Sequence, residues 1–158
     1  MRDIARADPD AVVVATGGRI AIPPVPGADL PHVRTRPALC ELAGGSPQRL
    51  LRPGAVRLAT RAWMPLGRRV AIVGGDLVAL ELAEFLAARG RLVSVLEAGG
   101  DVAPEVGNKR KTEHMDRLDR LGVAVHVRAV TERITPEAVV FTPHGGASRR
   151  LHRGRAHP

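Results

Sequence analysis

An α/β fold with a parallel sheet is what this sequence predicts, and three observations carry the prediction. Residues 68–97 read RRVAIVGGDLVALELAEFLAARGRLVSVLE. That is a short apolar run, a glycine turn, an apolar helical stretch and a second apolar run ending in an acid. Hydrophobic residues make up 44% of the chain but aromatic ones only 2%. A core of Ala, Val and Leu suits a parallel sheet buried under helices. After residue 97 a helical pattern and a third strand follow, and then the period changes to short alternating strands, which predicts an antiparallel β-meander.

At 158 residues there is room for one ordinary domain, or for one domain and a piece of another. In chain order, DAVVVATGG (Asp10–Gly18) predicts a buried strand running into a tight corner. Pro23, Pro24, Pro26 and Pro31 forbid a helix in the segment that follows, and Pro26-Gly27 marks a turn in chain lying over another surface. From Arg34 to Leu66 four further prolines and scattered arginines break every period, so this is an irregular linker with short helical turns near Ala38–Leu42 and Arg57–Trp63.

Order returns with a strand at Val70–Val73 and a helix at Leu77–Arg89, apolar almost all round and therefore covered on several sides. Arg89 suits the negative end of the helix dipole, and Gly90 its terminating turn. Leu92–Leu96 is the second strand. Asn108–Leu121 is a second helix, with Glu113–Arg117 and Asp116–Arg120 as i,i+4 pairs and a narrow stripe of Met115, Leu118 and Leu121. His114 falls on its charged, solvated side. Val123–Arg128 is a third strand, and Glu132–Thr135 and Val139–Thr142 pair antiparallel around Pro136. RRLHRGRAHP, residues 149–158, has no period and reads as a disordered basic tail.

The net charge of +8 invites a nucleic-acid reading, but its distribution weighs against one. Residues 34–69 carry eight Arg and one acid, and residues 149–158 four Arg and none. Elsewhere 12 basic face 15 acidic side chains, a net −3. No stacking aromatics or recognition helix accompany the basic segments, so nonspecific binding through arginines is the weakest of the functional readings. Cys40 is the only cysteine, which excludes an internal disulfide or a cysteine-held cluster. The six histidines show no metal-ligand spacing. No signal-peptide core or membrane-length apolar run is present, so a cytoplasmic protein is expected.

The glycine turn is where chemistry concentrates. A dinucleotide turn needs a first Gly for the bend, a second for close approach of the pyrophosphate, and a small third residue for helix–strand packing. Gly74, Asp76 and Ala79 occupy those places. Gly74 and Ala79 fit. Asp76 adds a carboxylate where the phosphate would rest, and it stands at the helix N-cap, where it can accept from the amides of Val78 or Ala79. Those donors would otherwise serve a phosphate. Like charges about 4 Å apart cost ~4 kcal/mol at an effective dielectric near 20. With about 1.4 kcal/mol per tenfold in affinity, that means one to three decades even after screening. Asp76 is thus either the cap of a unit that binds nothing or a residue that weakens nucleotide binding. Gly75, Leu77 and the helix start are the other candidate phosphate contacts. Glu97 lies 23 residues after Gly74 at the end of the second strand, where an acid bonds an adenosine ribose hydroxyl and disfavours a 2′-phosphate. That favours NAD(H) over NADP(H). Without a working turn, Glu97 is an ordinary strand-end residue.

These residues resemble a known family. DAVVVATGGRIAIPPVPGADLPHV and residues 67–147 are similar to the flavin-dependent pyridine-nucleotide oxidoreductases. The subgroup that fits best is that of 2,4-dienoyl-CoA reductase and trimethylamine dehydrogenase, relatives of old yellow enzyme. The helix KRKTEHMDRLDRLGV and the following ERITPEAVVFTP are close to its pattern. The resemblance implies a Rossmann-like three-layer nucleotide-binding domain, here incomplete, with FAD in the parent family and Ala15, Thr16 and Gly17 on the nucleotide and flavin side. It divides the chain into residues 1–33, the end of an FAD-binding domain; 34–66, the linker; 67–148, a partial NAD(P)-binding domain; and 149–158, the tail. It also implies an FMN barrel, a cluster and a first glycine turn that have no counterpart in this sequence. Residues 34–66 and 149–158 depart from the family, and both are Arg-rich and aperiodic, as a shifted reading frame in a GC-rich gene would be. The family's last strand beside the first would be lost, leaving an open edge unless Val12–Ala15 or a partner covers it. Marginal stability, self-association or a barrel-bearing partner subunit are therefore expected. The functional expectation is an NAD(P)H-binding fragment of a flavin-dependent oxidoreductase. The alternative is a non-catalytic remnant that keeps the fold without the cofactor.

Overall fold

A computed structural model describes residues 22–35, Ala38 and residues 66–152. The expected strand within residues 10–18, with Ala15, Thr16 and Gly17, lies outside them, as do Cys40, Trp63 and most of the linker. Among the described residues the element order is β1 (Arg69–Val73), α1 (Leu77–Ala87), β2 (Leu92–Leu96), α2 (Asn108–Arg120), β3 (Ala124–His126), β4 (Ala129–Ile134), β5 (Ala138–Pro143) and β6 (Arg149–His152). The α/β expectation is met, with a parallel sheet and an antiparallel one.

β1, β2 and β3 form the parallel sheet in that order, with Val70 opposite Val93 and Val95 opposite Val125. Alternation along β2 separates two cores. Val93 and Val95 face one side and pack with Leu80, Ala83 and Leu86 of α1 and Leu118 of α2. Leu96 faces the other side and packs with Ala129 and Phe141 of the second sheet. Helices, parallel strands and antiparallel strands thus form three layers, with β2 in the middle. Burying a side chain such as Leu80, which is fully inaccessible, contributes about 1.5–3 kcal/mol. Among the described residues, β1 has a hydrogen-bonded neighbour on one side only.

The second sheet runs β4-β5-β6, all antiparallel, with a register shift between Thr131 and Arg133. β6 is a correction to the sequence reading. Arg149–His152 is a strand, not the start of a disordered tail. Its period is hidden because only Leu151 packs inward, opposite Val139, while its backbone pairs along β5. Residues 22–35 cross the far end of β4. The Pro26-Gly27 turn is present, with Gly27 at φ +86° and the Pro26 carbonyl accepting from the Ile134 amide at 2.8 Å. A Cβ at Gly27 would stand 2.1 Å from the Ile134 carbonyl oxygen, so only glycine allows this approach.

α1 ends as its sequence suggests. Gly90 takes φ +76°, and the Arg89 guanidinium bonds the Phe85 carbonyl at 2.9 Å and lies over the Phe85 ring. α2 differs from expectation. His114 is buried, not solvated. Its Nδ1 lies 2.6 Å from Glu84 Oε1 of α1, joining the two helices. Arg117 and Arg120 reach back to the main-chain oxygens of Glu113 and Asp116 at 3.1 Å each, and Arg117 also lies 3.8 Å from Glu84. Leu118 is buried as the stripe predicts, while Leu121 is 40% exposed.

Candidate functional site

The carboxyl ends of β1 and β2 and the amino end of α1 meet at a cleft of about 480 Å³. Gly75, Asp76, Glu97, Glu105 and loop residues 99–101 line it, together with Pro104. In an open parallel sheet this is where ligands bind, because helix amino ends and strand carboxyl ends converge there.

The turn itself is a tight glycine bend leading into α1. Gly74 takes φ +104°, a conformation that L side chains rarely adopt, and its amide bonds the Leu96 carbonyl at 2.8 Å. Gly75 is glycine for a different reason. A Cβ there would meet the Glu97 Cβ and a Val102 methyl at 2.9 Å each. The chain reaches the helix through Asp76, whose extended backbone (φ −68°, ψ 172°) makes it the N-cap. Its Oδ1 accepts from the Ala79 amide at 2.8 Å, one of the two partners the sequence suggests.

Two more carboxylates converge on the same backbone. Glu97 Oε2 accepts from the Gly75 amide at 2.6 Å and its Oε1 from the Gly99 amide at 2.5 Å. Glu105 Oε1 accepts from the Leu77 amide at 2.8 Å. That amide holds the Glu105 carboxyl below the usual carboxylate range. Asp101 is also held low, first by its hydrogen bond from Lys111. The loop that brings Glu105 in is firmly seated. Val102 and Ala103 are buried, the Ala103 amide bonds the Gly75 carbonyl at 2.7 Å, and Ala103 takes φ +43°. A left-handed alanine costs of order 1–3 kcal/mol, which the surrounding packing has to over-determine.

Gly74, Gly75, Asp76, Leu77 and Glu97 are therefore brought together as the sequence suggests. Ala15, Thr16 and Gly17 lie outside the described residues. Glu97 stands at the strand end as expected, but its carboxylate is engaged by the glycine loops. The residue that sequence reasoning missed is Glu105. It lies 28 positions from its donor, in a loop whose sequence, DVAPEVG, has no feature that marks it. The amides of Gly75, Leu77 and Ala79 each bond a carboxylate.

A second cleft of about 790 Å³ opens between α1 and α2, where Glu84 and His114 meet Arg110 and Arg117. Glu81 pairs with Arg110 there at 3.3 Å. Among the described residues no group of His, Cys, Asp or Glu is arranged to hold a metal ion, and no helix is long and apolar enough to cross a membrane.

The chain is 34% identical to a bilirubin reductase of Mediterraneibacter gnavus over 132 residues, 84% of this chain and 18% of the relative. It is 26% identical to an NADH oxidase of Thermoanaerobacter brockii over 136 residues, 86% of this chain and again 18% of the relative. It thus spans under a fifth of the length of these relatives. Among solved structures, a 2-naphthoyl-CoA reductase shares the fold, with a TM-score of 0.69 and 23% identity over 96% of this chain and 20% of that one. The family model of the pyridine nucleotide-disulphide oxidoreductases matches residues 3–152, and the chain belongs to that family.

Proposed function

We propose that this chain is the NAD(P)H-binding portion of a flavin-dependent oxidoreductase. In the complete enzyme, hydride would pass between the nicotinamide and FAD. The observation that carries the reading is the turn from β1 into α1. Gly74 makes the bend, Gly75 has no room for a side chain, and Gly75 and Asp76 line the cleft at the strand ends. The family implies FAD and a nicotinamide nucleotide. Gly74, Gly75 and the start of α1, with Leu77, would meet the pyrophosphate. Glu97 would meet the adenosine ribose and favour NAD(H) over NADP(H). Ala15, Thr16 and Gly17 would line the nucleotide and flavin side. The cofactor would supply the hydride, and the residues named here would bind and orient it. The 2,4-dienoyl-CoA reductase and trimethylamine dehydrogenase subgroup, a cytoplasmic location, self-association and a barrel-bearing subunit belong to the same reading.

One observation favours a second reading, a non-catalytic remnant. The donors that a diphosphate would use at the start of α1 already bond carboxylates. Titration of NADH and NADPH into the wild type and Asp76→Gly separates the two. The first reading expects NADH binding in at least the variant, tighter than NADPH and tighter than in the wild type by about one to three decades. Binding to neither protein would remove it.

A further inference from the structure

We propose that Glu105 is an intramolecular stand-in for a phosphate group, so that a dinucleotide enters this cleft only by displacing its carboxylate from the Leu77 amide. This rests on the nucleotide-binding reading and deepens it.

The three carboxylates at the turn are not equivalent. Asp76 caps its own helix across three residues, an ordinary local cap. Glu97 is part of the frame. It bonds two glycine amides at once, and its Cβ packs where a side chain on Gly75 would go. Glu105 is exposed; besides its own amide, its carboxylate takes the Leu77 amide, a donor 28 residues away. It is also the carboxylate on the first free amide of α1, where the dipole attracts an anion most. Its delivery is specific. Val102 and Ala103 anchor the loop in the core, and the left-handed Ala103 turns the chain so that Glu105 comes over the helix start. The charges around it are Asp76 at the cap, Glu97 from the end of β2, Asp101 in its own loop and Lys111 of α2. Three of these four are acidic, so an incoming diphosphate meets a negative rim. Removing Glu105 both frees a donor and lowers that charge.

The experiment uses the full chain as wild type, Glu105→Ala, Glu105→Gln and Asp76→Gly, with circular dichroism to check folding. Amide hydrogen exchange at Leu77 reads the contact directly. NADH fluorescence titration and calorimetry with inorganic pyrophosphate read its consequence. Glu105→Ala is expected to speed exchange at Leu77 by ~10-fold or more and to tighten pyrophosphate and NADH by about tenfold. Glu105→Gln, which keeps an acceptor but loses the charge, should fall between. Unchanged exchange at Leu77 overturns the proposal. So does unchanged affinity for both probes in Glu105→Ala, including the case where Asp76→Gly binds NADH well, which leaves the cofactor reading standing. If Glu105→Ala gains pyrophosphate while no variant binds NADH, the stand-in role holds and the cofactor reading fails.

Discussion

The helices α1 and α2 begin in opposite ways. α1 starts with an N-cap carboxylate on Asp76 and receives Glu97 and Glu105 from elsewhere in the chain, so its first turn is surrounded by acids. α2 starts at Gly107, which makes no side-chain cap, and its first turn holds Lys109, Arg110 and Lys111 with no acid. Its own sequence therefore opposes the dipole at that end. The charges that compensate come from outside the helix, with Arg110 paired to Glu81 of α1 and Lys111 to Asp101 of the preceding loop. The difference separates a helix start that three carboxylates engage from one held by the rest of the fold. The cap of α1, Asp76, lines the cleft at the strand ends. α2 is kept in place by Leu118 and by the His114–Glu84 contact.

If that distinction is right, the two helices should fail differently. Leu118→Ala empties a position that is only 1% exposed and should cost about 2–5 kcal/mol in urea denaturation, with loss of α2 signal in circular dichroism. Asp76→Ala removes the α1 cap and should cost only about 1 kcal/mol, because Glu97, Glu105 and the packing of Leu80, Ala83 and Leu86 remain. A larger cost for Asp76→Ala than for Leu118→Ala would reverse the comparison.

The joint between the helices comes next in size. His114→Ala leaves the Glu84 carboxylate, 18% exposed, with Arg117 at 3.8 Å as its remaining neighbour. The expected loss is about 1–3 kcal/mol. The double variant with Glu84→Ala should lose less than the sum of the two singles if the contact is direct. An additive result would make His114 a space-filling residue and leave α2 to Leu118 alone.

This contact also marks where the sequence stops being readable. β1, α1 and β2 were legible because each is a local pattern, with apolar runs of five residues around a glycine and a helix length apart. So was the Asp76 cap, whose donor lies three residues away. His114 was misread because its partner is 30 residues upstream, and nothing in KRKTEHMDRLDR distinguishes a buried histidine from a solvated one. Glu105 escaped for the same reason. β6 was misread because RRLH has one inward apolar residue, and its order comes from pairing with β5. What is local was visible, while what depends on tertiary approach was not.

The smallest expected effect tests the comparison at its other end. Gly107 takes φ −60° and ψ 145°, a backbone open to any residue, and a Cβ there meets nothing within 4 Å. Gly107→Asp would give α2 the kind of cap that α1 has. The carboxylate would accept from an amide of the first turn and offset Lys109 and Arg110. Glycine is itself a fair N-cap, so the cap adds a few tenths of a kcal/mol. Loss of unfolded-state freedom adds about 0.4–1 kcal/mol. A stabilisation near ~1 kcal/mol should thus appear in denaturation, with NADH affinity unchanged, because Gly107 lies outside the cleft at the start of α1. A change in nucleotide affinity would mean that the two helix starts share one electrostatic site. No change in stability would mean that the ion pairs to Glu81 and Asp101 already compensate the start of α2 in full.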